Sequence, residues 1–169
     1  MAKYVEMPKA SIPHREGRGE AMRHGYSEDL DQQDLAMWRG RVASSIRGKR
    51  GQKMLRDLAA AMDSMPTREL VRGSLQTSDG QCCAIGRACE AKGIDLKAHE
   101  GDDECDLMEL NADIAGHLDI AECLVQEIEY VNDEYGPHDE TPAQRWQRVR
   151  RWIDRHIPTP PGASSLPMR

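Results

Sequence analysis

Arginine and lysine side chains gather in two separate stretches of the chain, and their charged groups are well suited to bind phosphate or carboxylate. Between Trp38 and Arg56 there are seven basic residues and no acid, and between Thr141 and Ile157 five arginines stand against Asp154 alone. Such cations suit the phosphates of a nucleic acid or the carboxylates of an acidic partner. The candidate binding residues here are Lys49, Arg50, Lys53, Arg148, Arg151, Trp152 and Arg155.

The segment between these stretches carries the opposite charge. Residues 95–140 contain sixteen Asp or Glu and one basic residue, Lys97. Separated charges steer association with charged partners, and an acidic surface can imitate nucleic-acid phosphates toward a basic groove. The candidate residues are Glu100, Asp102, Asp103, Glu104, Asp106 and Glu109. Simple solvation, partner binding and cation binding are all compatible with their spacing, although the order of acids does not match a calcium-binding EF-hand loop.

A glycine turn, Gly48–Gly51, lies in the first basic stretch. A turn of this kind that opens a helix presents free N–H groups to an anion, and Lys49, Arg50 and Lys53 add positive charge. The sequence does not fit a Walker motif. Phosphate binding, contact with an acidic protein and a solvated helix connector therefore remain three interpretations.

The second basic stretch predicts a helix with two different faces. At about 100° per residue, Arg148, Arg151 and Arg155 fall opposite an apolar stripe that runs from Trp146 to Ile157. Trp152 falls at the border of this basic face. Tryptophan beside arginine is typical of interface hot spots and of base-stacking sites, while packing inside the domain is the alternative for Trp152.

Other chemistries have little support in the residue pattern. The chain has no G-x-S-x-G, H-E-x-x-H or C-x-x-C motif, so we expect neither an enzyme nor a metal or cofactor site. Its five cysteines form no disulfide framework, and there is no apolar secretory segment and no run of eighteen apolar residues. These features predict reduced thiols, a cytoplasmic location and no membrane.

Capping signals and helical spacing predict the elements that position these residues. Asp31 is a suitable N-cap for a first helix. A second helix is predicted over Met54–Met65 and stops at Pro66. The segment Gly48–Gly51 would then be the loop of an antiparallel helix hairpin.

The middle of the chain is less regular. The stretch Leu70–Leu75 fits either a helix or a short strand, and Ser78–Gly80 is a turn signal, so a short β-hairpin near 70–83 is one alternative. A helix over Cys82–Lys92 follows, and Gly93 is a natural left-handed stop.

Two further helices and a final one complete the prediction. One spans Asp103–Ala115 and ends at Gly116, Asp119 caps the next, and Thr141-Pro142 is a strong start signal for the last. The pattern predicts a mainly α protein with a single compact helical domain of five to six helices over 27–157. Residues 1–26 would form a flexible arm, and the Pro/Gly/Ser-rich residues 158–169 a disordered tail.

Several short motifs stand out: Met22–Ser27, the stretch from Trp38–Gly40 through Ile46–Gln52, Asn132–Glu134, and Glu140–Pro142 followed by Arg145-Trp146 and Trp152. Together they resemble a family of uncharacterised small phage and prophage proteins. The resemblance covers roughly residues 22–157 and implies a phage origin and a mostly helical fold, but no activity. In that family the chain begins at the residue matching Met22, so Met1 and Met22 are both candidate starts. The stretch Cys83–Gly86, together with Asn132-Asp133, also resembles a wider class of short phage-borne helical domains.

Three functions follow from these observations. The favoured hypothesis is a phage accessory protein that binds a host protein or protein complex and inhibits nucleic-acid handling or defence through its acidic surface. The first alternative is a nucleic-acid-binding regulator that uses the basic segments 39–56 and 145–155. The second is a self-associating structural component, such as a homodimer. Whether the two basic segments form one surface is open at this stage.

Overall fold

The first helix begins where the sequence predicts. The computed structural model of the protein describes residues 31–96 and 106–158. Asp31 is the N-cap, and its carboxylate accepts hydrogen bonds from the backbone N–H groups of Gln33 and Asp34, both at 2.8 Å. The helices of the described residues are α1 Gln32–Arg47, α2 Lys49–Asp63, α3 Ala84–Ala91, α4 Asp106–Leu118, α5 Glu122–Asp133 and α6 Pro142–His156.

The junction between α1 and α2 is tighter than predicted. Gly48 alone separates the two helices, and Gly51 lies inside α2, so the prediction of a four-residue Gly48–Gly51 loop is wrong. A Cβ atom on Gly51 would lie 2.0 Å from the backbone oxygen of Ser45. The start of α2 therefore packs directly on the last turn of α1, and only a residue without a side chain fits there.

The segment 64–83 is irregular and is fastened by a side chain from α5. Neither a helix nor a strand forms at Leu70–Leu75, and the β-hairpin considered near 70–83 reduces to one isolated antiparallel bridge between Gln76 and Cys82. The Asn132 amide donates to the Val71 oxygen at 2.8 Å and accepts from the Ala84 N–H at 3.2 Å. These bonds satisfy backbone groups that regular structure would otherwise pair.

The helix stops are partly as predicted. Gly93, at φ +70°, follows the end of α3 and confirms the predicted left-handed stop. Gly116 does not end α4, which continues to Leu118. Asp119 takes the left-handed position there, with φ +56°. It is not the cap of α5, because that position belongs to Ala121.

The last helix begins with a strong N-cap. The Thr141 hydroxyl accepts from the Gln144 N–H, the Gln144 side chain accepts from the Thr141 N–H, and Pro142 follows at the first helical position.

The helices share one core. Helix α5 packs against α1, α3, α4 and α6, while α2 packs against α1, α3 and α6. The large, completely buried side chains include Leu55, Leu58, Met62, Leu70, Ile85, Ile114, Leu124, Ile128 and Ile153.

The described residues thus form a mainly α, single compact helical domain, which confirms the predicted fold class. No helix within 31–96 or 106–158 combines the length and the apolar character needed to cross a membrane. The arm predicted at 1–26 lies outside the described residues, as does the tail predicted at 158–169 except for Pro158 itself.

Candidate functional site

The two basic segments meet at Gln52. Its side-chain Nε2 donates to the backbone oxygen of Ile46 in α1 and to that of His156 in α6, each at 2.8 Å. Arg47 directly follows the first of these carbonyls in the chain, and Arg155 directly precedes the second. Both arginines are exposed. The end of the first basic helix and the end of the last helix therefore lie side by side.

The first turns of α2 add three more exposed cations at the same place. Lys49 and Arg50 occupy the first two positions of α2, whose first turn contains no acid. Lys53 follows one turn later and forms an ion pair of 2.6 Å with Asp57. The close approach of α2 to Ser45 places the backbone that carries these side chains next to the end of α1.

The ends of α3 and α4 reach the same part of the molecule. Arg50 Nη1 lies 3.0 Å from Asp119 Oδ1, just after α4, and Lys92 Nζ donates to the neighbouring Leu118 oxygen at 3.1 Å. Lys92 is missing from the sequence-based candidates because it stands alone among neutral and acidic residues. We call the following set the basic end: Arg47, Lys49, Arg50, Lys53, Lys92 and Arg155.

The predicted basic face of α6 is only partly exposed. Arg151 is exposed, one turn before Arg155, and its Nε donates to the Gln147 oxygen. Arg148 is directed inward, with a side chain that is 11% exposed, so the prediction that it shares a solvated face with Arg151 is wrong. It donates from Nε and Nη2 to the two oxygens of Glu140, both at 2.7 Å.

Trp152 is also buried. It is 7% exposed, and its ring centroid lies 4.5 Å from that of His156. The interpretation that favours packing inside the domain is therefore correct for this residue, because a buried indole ring offers no face to a base.

Arg145 is a buried cation that the sequence did not single out. It is 5% exposed, donates from Nη1 to the Leu70 oxygen at 2.9 Å, and has Nε 3.6 Å from Glu140 Oε2. Burial lowers the pKa of its guanidinium, and the charge of Glu140 opposes that effect. Arg145 thus fixes the 64–83 segment to α6 and is a structural residue.

The acidic segment does not lie on one surface. Glu127 and Glu129 are 6% and 4% exposed, and the Glu140 side chain is 6% exposed. The expectation that residues 95–140 form a continuous acidic surface is therefore wrong for these three. Glu109 is exposed. Asp106 begins α4, but its side chain is outside the described part of the structure, as are Glu100, Asp102, Asp103 and Glu104.

Three of the four cysteines that the structure describes, Cys82, Cys83 and Cys89, are interior thiols. Burial raises the pKa of Cys83 strongly and raises that of Cys89 to about 12, so both stay protonated and poor nucleophiles at neutral pH. Among the described side chains, no three His, Cys, Asp or Glu residues are grouped closely enough to hold a metal ion.

Comparison with known proteins adds no assignment: no family model matches the chain, and neither a curated protein nor a solved structure shows detectable similarity. The geometry of the basic end is therefore the feature on which a function can be argued.

Proposed function

We propose that this protein is a nucleic-acid-binding accessory protein of phage origin, and that it contacts the phosphate backbone through the basic end. The observation that carries this proposal is the double hydrogen bond of Gln52, which joins the ends of α1 and α6. The phage origin rests on the sequence resemblance over residues 22–157. The action is binding, and no chemical step is assigned to the site.

The chemistry of the basic end favours backbone contacts over base reading. Lysine and arginine side chains neutralise phosphates and release the counterions held by the duplex, which gives sequence-independent affinity that falls with salt. Trp152 is buried and does not supply a stacking platform. We therefore expect weak sequence preference and a clear dependence on ionic strength.

The acidic-surface alternative has less support. Of its candidate residues, Glu109 is exposed, whereas Glu100, Asp102, Asp103, Glu104 and the Asp106 side chain lie outside the described part of the structure. Three other acids of the same segment, Glu127, Glu129 and Glu140, lie in the interior and cannot extend that surface. Inhibition of a host protein through the remaining acids, and self-association, stay hypotheses that become the leading ones if nucleic acid does not bind.

The test is fluorescence anisotropy with a labelled 20-base-pair duplex at 50 and 150 mM salt. If three to five phosphates are contacted, log K should fall against log salt with a slope of about −2.7 to −4.5. A double variant, Lys49→Gln with Arg155→Gln, removes charge from both helices that meet at Gln52. It should lower affinity at 50 mM salt at least tenfold.

The matched control is Arg68→Gln, which removes one exposed positive charge and is compared with the single variants Lys49→Gln and Arg155→Gln. Arg68 lies over the Trp146 ring, 5.0 Å from its centroid. The helix between Trp146 and His156 is about 15 Å long, which exceeds the screening length at 0.1 M salt. The control should change affinity less than twofold. Absence of salt-sensitive binding, or equal losses in the control and in the single variants, would overturn the proposal.

A further inference from the structure

Asp119 occupies a backbone position that favours glycine. It follows α4 with φ +56°, and the next residue, Ile120, donates its N–H to the Ala115 oxygen at 3.0 Å. The corresponding position after α3 is Gly93, where Ile94 donates to Cys89 in the same way. Left-handed φ values are uncommon for residues with a side chain, although Asp and Asn tolerate them best. Because glycine would end the helix here at lower conformational cost, we asked what the Asp119 side chain contributes.

The reason that the geometry offers is the ion pair with Arg50. Asp119 Oδ1 lies 3.0 Å from Arg50 Nη1, and the two side chains are 73% and 72% exposed. An ion pair this exposed adds little to folding stability, because water and salt screen it. The pair can consequently open without disturbing the domain, and the guanidinium that it releases lies within the basic end.

We propose that the Asp119 carboxylate occupies the position that a nucleic-acid phosphate takes on Arg50, and that it limits affinity by competing for that guanidinium. This proposal rests on the proposed function. Carboxylate and phosphate accept the same charge-assisted hydrogen bonds from arginine. Binding would exchange one anion for the other with no covalent change, while the negative charge of Asp119 repels the incoming strand.

The experiment compares duplex binding by the wild type and by Asp119→Asn, which keeps a residue that tolerates positive φ and removes the charge. At 50 mM salt the variant should bind about three- to fivefold more tightly, the scale expected from loss of an exposed ion pair. The gain should shrink at 150 mM salt. The matched control is Asp139→Asn, which changes net charge equally but lies before α6, at the end opposite His156, and it should leave affinity unchanged.

Repeating Asp119→Asn in an Arg50→Gln background identifies the contact. If the two residues compete as proposed, the gain disappears when the guanidinium is absent. If Asp119→Asn still raises duplex affinity in the Arg50→Gln background, or if Asp139→Asn raises it equally, the proposed competition for Arg50 is wrong. The gain would then reflect only the change in net charge. If the wild type binds duplex and Asp119→Asn binds it equally, the competition alone fails. If neither protein binds, the proposed function fails as well.

Discussion

Arg148 and Glu140 form an ion pair with two parallel hydrogen bonds, each 2.7 Å long, between side chains that are 11% and 6% exposed. The same guanidinium donates to the backbone oxygens of Val131 and Asn132 at the end of α5. The Arg148 side chain of α6 therefore binds both the loop that precedes α6 and the backbone carbonyl groups near the end of α5.

Replacing Arg148 should destabilise the domain strongly. Arg148→Met leaves the Glu140 carboxylate buried beside Arg145 with fewer donors, and breaking such a pair costs about 3 to 5 kcal/mol. Urea unfolding measures the loss. Adding Glu140→Gln should recover part of it, since a neutral amide is less costly to bury without Arg148 and its oxygen still faces the Arg145 guanidinium. Arg151→Met on the exposed face of α6 should change stability by less than about 0.5 kcal/mol; equal effects at the two arginines would contradict the role given to Arg148.

Two glycine-to-alanine changes should have opposite signs. Gly40 lies in α1, and a Cβ atom at this position would have no neighbour within 4 Å, so Gly40→Ala should raise stability by about 0.5 to 1 kcal/mol. Gly51→Ala would place Cβ 2.0 Å from the Ser45 oxygen and should cost more than about 2 kcal/mol. Thermal melting of both variants is the measurement. A neutral Gly51→Ala would mean that α2 does not pack so closely on α1.

The pair between Asp63 and Arg150 should give a small acid-dependent stability. The hydrogen bond from Arg150 holds the pKa of Asp63 below its ordinary value of 3.8. Because this pKa is depressed in the folded state, its stabilisation is complete above pH 3.8 and is lost as the pH falls through the lower value. Asp63 is about half exposed, so Asp63→Asn should cost less than about 1 kcal/mol at pH 6. Melting curves of the two proteins should converge as the pH falls from 3.8 through the depressed pKa of Asp63; a constant difference would exclude this contribution.

The interior thiols should be protected from modification. Burial raises the pKa of both Cys83 and Cys89, and neither thiol is accessible in the folded domain. At pH 8 a disulfide reagent should label the half-buried Cys123 well before these two, which should react only after denaturation. Peptide mapping by mass spectrometry identifies the labelled sites. Rapid labelling of Cys83 in the native protein would contradict its burial.

Local signals predicted the starts of the first and last helices correctly, but not those of α2 and α5. Asp31 and Thr141 each place a side-chain oxygen before an apolar repeat, and both act as N-caps in the structure. The stop at Gly93 was equally predictable. Gly116 failed as a stop, because a glycine within a helix is tolerated where the following residues still bury apolar surface, as Leu118 does.

The candidate site could not be predicted in full, because the spacing of residues along the sequence does not show which side chains meet in the folded domain. A helical wheel gives the direction in which the Arg148 side chain leaves the helix, but not that Glu140 and the end of α5 lie within its reach. The meeting of Arg47 and Arg155 depends on a side chain, Gln52, that has no motif of its own. Lys92 and Asp119 join the basic end only through the tertiary arrangement of α3 and α4.

The contacts between α2 and α6 have a consequence for how the chain folds. Trp146 donates to the Met62 oxygen across 84 positions of sequence, and Gln52 to His156 across 104. Contacts between distant positions slow folding, because the long intervening chain must be ordered first. We expect stopped-flow refolding to be slower than in helical domains held by local contacts. During synthesis, the side of α2 that packs against α6 stays uncovered until the ribosome has released α6, although α1 and α3 are already available.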